Sequence, residues 1–170
     1  MKLIFAIGNP GIKYKFNYHN LGLLFADFLI NKHNVISEKI ETNFHLFKFE
    51  EFSLLKSKVF MNLSYQALGP IYNFYKIEKL LVVHDDLTLK KHEIKLKHTQ
   101  GNSGHNGLKD IANHIKEFDR LRIGIDHPKN FNPEMATDSY VLSNIDDLSQ
   151  WQECFEKGLI ETQKWINIKL

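Results

Sequence analysis

Cysteine is almost missing from the chain. Its 170 residues contain one, Cys154, so no intrachain disulfide can form, which suits a reducing cytoplasm. Cys154 lies in a helical apolar pattern, which marks it as a packing residue rather than a nucleophile. Proline is scarce too, with four in all, and no linker, repeat or low-complexity tract divides the chain. A single domain over residues 1–170 is therefore expected. No apolar run approaches the ~20 residues needed to span a bilayer. The first residues lack a basic segment and a cleavage site, so no secretory signal is read and cytoplasmic residence is expected. Neither charge sign dominates: 22 basic and 20 acidic residues leave +2, too little for total charge to announce a nucleic-acid binder. Metal signatures are also lacking. None of the nine histidines falls in His-Glu-x-x-His spacing, and there is no cysteine pair. His84-Asp85-Asp86 offers a hard cation only two adjacent carboxylates, so metal catalysis is not expected.

What is present is an interleaving of strand and helix patterns. Residues 3–7 form a short apolar run, read as a strand buried on both faces. It stops at the turn cluster Gly8-Asn9-Pro10-Gly11. Leu21, Leu24, Phe25, Phe28 and Leu29 recur at helical spacing, and Asn17 or Asn20 could cap that helix. Residues 43–58 read as a strand pair turning at Glu50-Glu51. A helix follows Ser64, with Ile71, Phe74 and Tyr75 facing inward and Gly69-Pro70 expected to kink or restart it. Residues 80–83 and 93–97 read as strands. A polar glycine-rich loop, residues 98–107, leads to a helix over 108–115, then a strand over 121–125 and a loop over 126–138. In the tail, Leu148, Trp151, Phe155, Leu159, Thr162 and Ile166 repeat at helical spacing. These elements predict a three-layer α/β domain with a mixed, largely parallel central sheet flanked by helices.

Polar side chains gather where strands end, the edge at which open α/β sheets bind ligands. His19 is the leading candidate for a general base, and Asp85, ending another strand, could hold its second ring nitrogen in one tautomer. Equally, Asp85 could be a turn or cap carboxylate. Asn9, Asn62 and Asn106 sit in three polar loops, and an amide can hold a peptide backbone or a developing oxyanion. Each could also be an ordinary turn or cap residue. The loop Gly101-Asn-Ser-Gly-His-Asn-Gly107 is not a Walker loop, since no Gly-Lys-Ser/Thr follows, nor a nucleophile elbow. Lys90, Lys91, Lys95, Lys97 and His98 cluster, with Arg120 and Arg122 later, as either a solvated face or a polyanion contact.

The opening stretch, Gly8-Asn-Pro-Gly11 with Tyr14 three residues on and His19-Asn20 beyond, resembles the start of bacterial peptidyl-tRNA hydrolases, G-L-G-N-P-G, Tyr and T-R-H-N. Further blocks keep that family's order. Lys56-Ser-Lys-Val-Phe-Met-Asn-Leu-Ser-Tyr65 is similar to K-P-x-T-Y/F-M-N-x-S-G, and residues 80–87 to an apolar strand ending H-D-D/E-L. Ser103-Gly-His-Asn-Gly-Leu-Lys-Asp-Ile111 is similar to G-G-H-N-G-L-K-S/D-I, and residues 120–128 to R-L-R-I-G-I-G-R/H-P. The likeness covers most of residues 3–142.

The resemblance implies hydrolysis of the ester between a peptide and the terminal ribose of tRNA, in translation and ribosome rescue, by a cytoplasmic monomer without cofactor. The family's catalytic histidine falls on His19, its orienting aspartate on Asp85, and the amide steadying water or oxyanion on Asn62. Asn9 and Asn106 fall on peptide-binding positions, Tyr14 and Met61 on cleft positions near the ester. Lys97 and Arg122 fall on residues that hold tRNA phosphate, at the acceptor stem and CCA end. Departures are Asn17-Tyr18 for Thr-Arg, Ser57 for Pro, Val59 for Thr, Tyr65 for Gly and Asp126 for Gly. A rival is a non-catalytic RNA-binding protein on the same fold, like the family's plant relatives that assist splicing. A remoter one is a peptidase or amidase, which would not need the basic cluster.

Overall fold

The computed structural model describes residues 1–99, 101–102 and 104–167. At its centre is β1 (Lys2–Ala6), flanked by β4 (Ser53–Ser57) and β5 (Lys79–Asp86), both parallel to it. Beyond β4 lie β3 (Phe44–Lys48) and β2 (Ser37–Ile40), each antiparallel to its neighbour. Beyond β5 come β7 (Asp119–Gly124), parallel, and the edge strand β6 (Ile94–Lys97), antiparallel. The order is β2-β3-β4-β1-β5-β7-β6, so the expected mixed sheet with a parallel centre is what forms.

Successive side chains of a strand point to opposite faces, and β1 supplies both cores. Ile4 and Ala6 join one apolar cluster with α1 (Leu21–Lys32), α4 (Thr137–Val141) and α5 (Gln152–Asn167). Leu3, Phe5 and Ile7 join the other with α2 (Ser64–Phe74) and α3 (Asn106–Ala112). Three layers result. The strand run at residues 3–7 lacks alternation because both its faces are covered.

Several local expectations are corrected. The edge strand β2 carries no apolar alternation, since all four residues are exposed, and it was unreadable in sequence. Phe74 is 78% exposed because α2 ends there and its buried stripe is Ala67, Leu68 and Ile71. Leu148 likewise points to solvent, while Trp151, Phe155 and Thr162 are buried as their spacing predicted. Pro70 lies inside α2 without ending it; one lost backbone bond is outweighed by the buried stripe on either side. Asn20 holds the cap position of α1 but makes no cap bond, and Asn17 donates instead to Asn144 Oδ1 at 2.8 Å. The expected loop 126–138 contains a 3-10 turn, Pro128–Asn130, and runs into α4. Asp126 adopts φ 64° where the resemblance has Gly. Its Oδ1 accepts from the His127 amide and Asn130 Nδ2, the local bonding that lets Asp visit left-handed backbone.

The bottom of the sheet grips the C-terminal helix. Lys2 Nζ donates to the Ile166 carbonyl at 2.6 Å and Lys79 Nζ to that of Trp165 at 2.5 Å. These are last-turn carbonyls of α5, where cations are favoured. Lys79 also sits 4.7 Å from the Trp165 ring centroid; burial pushes its pKa down, with the Asp119 charge acting the other way. Lys79→Met retains the stem and loses the cation. It is expected to cost about 1–3 kcal/mol, read as a lower denaturant midpoint, whereas an unchanged midpoint would show that the ammonium contributes nothing to docking.

Candidate active site

His19 sits on a 3-10 turn, Tyr18–Asn20, that runs directly into α1. The helix start can press against the sheet only because residue 22 is glycine: a Cβ there would lie 2.5 Å from the Val83 carbonyl oxygen and 2.8 Å from that of Ile7. That approach brings His19 to the end of β5. Its Nδ1 lies 2.9 Å from Asp85 Oδ1 and 3.0 Å from Oδ2.

A second imidazole shares the same carboxylate. His105 Nε2 is 2.9 Å from Asp85 Oδ1, and its Nδ1 accepts the Leu108 amide at 3.4 Å, capping α3. An ionised carboxylate only accepts, so the ring nitrogens facing it carry the hydrogens. His105 is thereby fixed as the Nε2–H tautomer. His19 is fixed as Nδ1–H, leaving a lone pair on Nε2, the form a base requires. His105 does not stand out in the sequence. Its place in the glycine-rich loop, one residue before Asn106, was the available signal.

Asp85 is 2% exposed. Burial acts to raise its pKa, but the two imidazoles outweigh burial and hold it well below the usual carboxylate range. For His19, burial acts downward, yet the charge and hydrogen bond of Asp85, with a smaller contribution from Asp138, carry its pKa above 6.5. His84, next to Asp85, is pushed down to about 3 by burial and by His105. It is a neutral ring whose Nδ1 donates to the Asp85 carbonyl at 2.7 Å.

These groups open on a cavity of about 250 Å³ whose wall includes His19, His84, Asp85, Asn106, His127 and Asp138. Asn9, Tyr14, Met61 and Asn62 are not on that wall. They belong to two segments tied to it. Asn20 brackets the Asn9 backbone, accepting from its N–H at 2.8 Å and donating to its carbonyl at 2.9 Å. The Asn9 side chain in turn accepts the Met61 amide at 2.8 Å. Asn20, expected only as a possible cap, is thus the latch between His19 and the Asn9 loop. Met61 packs under the start of α3, since a Cβ on Gly107 would come within 2.6 Å of its Sδ. Asn62, on the 3-10 turn Met61–Leu63, is exposed beside it, and Tyr14 meets Phe60 edge-on at 6.2 Å.

Residues 3–169 match the peptidyl-tRNA hydrolase family. The chain belongs to that family. Among its relatives, peptidyl-tRNA hydrolase of Sulfurimonas denitrificans is 44% identical over 146 residues, covering 84% of this chain and 77% of that one. The Oceanobacillus iheyensis protein of the same name is 33% identical over 179 residues, covering 99% and 94%. Among solved structures, that of peptidyl-tRNA hydrolase from Acinetobacter baumannii superposes with a TM-score of 0.82 at 31% identity, covering 98% of this chain and 86% of that one.

Against the family pattern, the Arg that would precede His19 is Tyr18, and its surroundings explain how the exchange is housed. Tyr18 is buried against Tyr140 at 4.8 Å and Trp151 at 6.3 Å. Its hydroxyl accepts from Lys91 Nζ at 2.7 Å, so a cation returns to this corner from the β5–β6 connection. The basic cluster therefore divides. Lys91 is spent on Tyr18, and buried Arg120 donates to the Thr99 carbonyl beneath the glycine-rich loop. Arg122 pairs with Asp86 at 2.8 Å and reaches Thr88 Oγ1 at 2.7 Å. Asp86 is thereby occupied and kept below its usual pKa: burial opposes, but Arg122 and Thr88 prevail. Lys97 is exposed on β6 opposite Arg120. Cys154 is buried, with its thiol pushed up to about 11 by burial, in keeping with a packing residue. Among the described residues, no helix is long and apolar enough to cross a membrane.

Proposed function

We propose that the chain hydrolyses the ester of peptidyl-tRNA, releasing the peptide and free tRNA. The observation that carries this reading is the His19–Asp85 contact of 2.9 Å, which leaves a basic Nε2 beside a cavity bordered by Asn106. His19 Nε2 takes a proton from water as its oxygen attacks the ester carbonyl carbon. Asp85 holds the tautomer and stabilises the imidazolium that forms. Asn62 is assigned to steadying the water or the developing oxyanion, and Asn106 to holding the peptide group. Collapse of the intermediate breaks the bond to the ribose oxygen, which takes the proton from Nε2. No step needs a metal or cofactor.

The peptide runs toward Asn9, Tyr14 and Met61. The acceptor stem and CCA end lie toward Lys97 and Arg122, on the opposite side of β5. The enzyme works as a monomer in the cytoplasm. An RNA-binding protein with an idle cleft is disfavoured, because it would have no use for two histidines fixed in defined tautomers on one buried carboxylate. The deciding experiment is release of N-acetylated amino acid from charged tRNA by purified protein. Release is expected, and binding of tRNA without release would replace this reading with the idle-cleft one.

Lys97 and Arg122 differ in what their loss should do. Lys97→Ala is expected to raise KM with little change in kcat, since it removes binding shared by ground and transition states. It should reduce the salt slope of binding by about one. Arg122→Ala should add a loss of stability, because it leaves the buried Asp86 carboxylate with Thr88 but no cation. A fall in kcat at constant KM for Lys97→Ala would remove that residue from the tRNA face.

A further inference from the structure

We propose that His19, Asp85 and His105 form a binding site for a zinc-like transition-metal dication, and that its occupancy switches the base off. His19 Nδ1, a carboxylate oxygen of Asp85 and His105 Nε2 all lie within 4.8 Å of one another. They come from three separate elements: the turn before α1, the end of β5 and the cap of α3. Two imidazoles and a carboxylate are a donor set that zinc accepts with water in the fourth position. Magnesium and calcium, which favour all-oxygen shells, are poorly served. Asp85 Oδ1 already stands 2.9 Å from both nitrogens. Zinc–nitrogen bonds of about 2.0–2.1 Å therefore require the rings to shift rather than the elements to move.

A second observation points the same way. His84 is 1% exposed and lines the same cavity. Its Nδ1 is spent on the Asp85 carbonyl, so Nε2 carries a lone pair, and that atom has no partner among the described residues. The cavity that the cluster opens on thus also holds a histidine with an unpartnered nitrogen among the described residues, and leaves space for the remaining water.

The consequence for chemistry follows from the tautomer. Metal on His19 Nδ1 needs the lone pair there, so the ring proton moves to Nε2, the atom that must accept a proton from water. Inhibition then acts on kcat and leaves the KM for tRNA nearly unchanged, even where substrate can still enter. At His105 the proton moves to Nδ1 and faces the Leu108 amide, so the cap of α3 is lost in the same event. The inhibitory part rests on the hydrolase reading; the binding part does not.

The test uses the purified full chain, zinc chloride alone and no tRNA. With ¹⁵N-labelled imidazoles, one equivalent of zinc should shift the ring nitrogens of His19 and His105 together. His105→Gln should weaken binding by about tenfold or more. His45→Asn, at a surface histidine paired with Glu38, should not weaken it. Zinc that perturbs surface histidines while leaving His19 and His105 unmoved would overturn the site. So would undiminished affinity in a folded His105→Gln; if that variant does not fold, the wild-type spectra decide. In the activity arm, chelator-treated enzyme should be fully active and zinc should lower kcat. Zinc bound at His19 without loss of kcat would overturn the switch. Inactivity of chelator-treated wild type would instead count against the hydrolase reading, with the binding result standing on the spectra.

Discussion

His19→Ala is expected to lower kcat for peptidyl-tRNA by roughly 10²–10⁴, the range for removal of a positioned general base. That is ~3–5 kcal/mol of barrier. The fold should survive. His19 is a terminal group on a 3-10 turn whose neighbours carry the packing: Tyr18 packs against Tyr140 and Trp151, and Asn20 clasps the Asn9 backbone. His105 still donates to Asp85 in the variant, so the buried carboxylate keeps a partner. The loss should therefore be in turnover, with KM and circular dichroism close to wild type. Near wild-type kcat would mean that water is activated by another group.

A second large effect concerns which ester is cut. Aminoacyl-tRNA carries a free amine, protonated to a large extent at neutral pH, where peptidyl-tRNA carries an amide. The walls that the substrate meets here offer neutral amides, Asn106 on the cavity and Asn9 behind it. Among the described residues the Asn9 Nδ2 donor is uncommitted, because Oδ1 is the atom that accepts from Met61. A peptide carbonyl can accept from such a donor, whereas an ammonium has no lone pair to offer it. Discrimination that depends on a required hydrogen bond reaches roughly 10⁴-fold, so wild type should prefer N-acylated substrate by a ratio of that order. Asn106→Ala should narrow the ratio as well as slow the reaction, measured as kcat/KM on both substrates. A lower rate at an unchanged ratio would make Asn106 a group that positions the ester and does not read the amide.

Sequence carried the central layer well because buried parallel strands write themselves as apolar runs, as residues 3–7 and 80–83 do. It failed where solvent erases the pattern. The exposed edge strand β2 shows no alternation, and Phe74 and Leu148 look inward by type but are exposed at element ends. At the site, residue type and position singled out His19 and Asp85, but their meeting depends on Gly22 allowing α1 to touch the sheet, a fact of packing. His105 and Asn20 were missed for a related reason. Each works through another residue, Asp85 or the Asn9 backbone, and no spacing in the chain encodes that contact. Within the basic cluster, Lys91, Arg120 and Arg122 also have internal partners that the sequence does not encode.

The account turns on Asp85 holding His19 with Nε2 free, and the pH dependence of kcat/KM tests this most directly. Burial acts to depress His19, and Asp85 more than reverses it, so the wild-type pKa lies above 6.5. The imidazolium is favoured in the fold. Its pairing contributes stability that is full below 6.5 and fades as pH rises through the raised pKa, while the active base form is lost as pH falls through that same value. In Asp85→Asn the reversal is gone and burial acts with only Asp138 against it. An amide can also donate to Nδ1 and force the proton to Nε2, the wrong tautomer. The account predicts an acid limb centred above 6.5 for wild type, and for Asp85→Asn a limb displaced to lower pH with a strongly reduced plateau. An acid limb that stays in place when Asp85 is replaced, with the plateau retained, would contradict it.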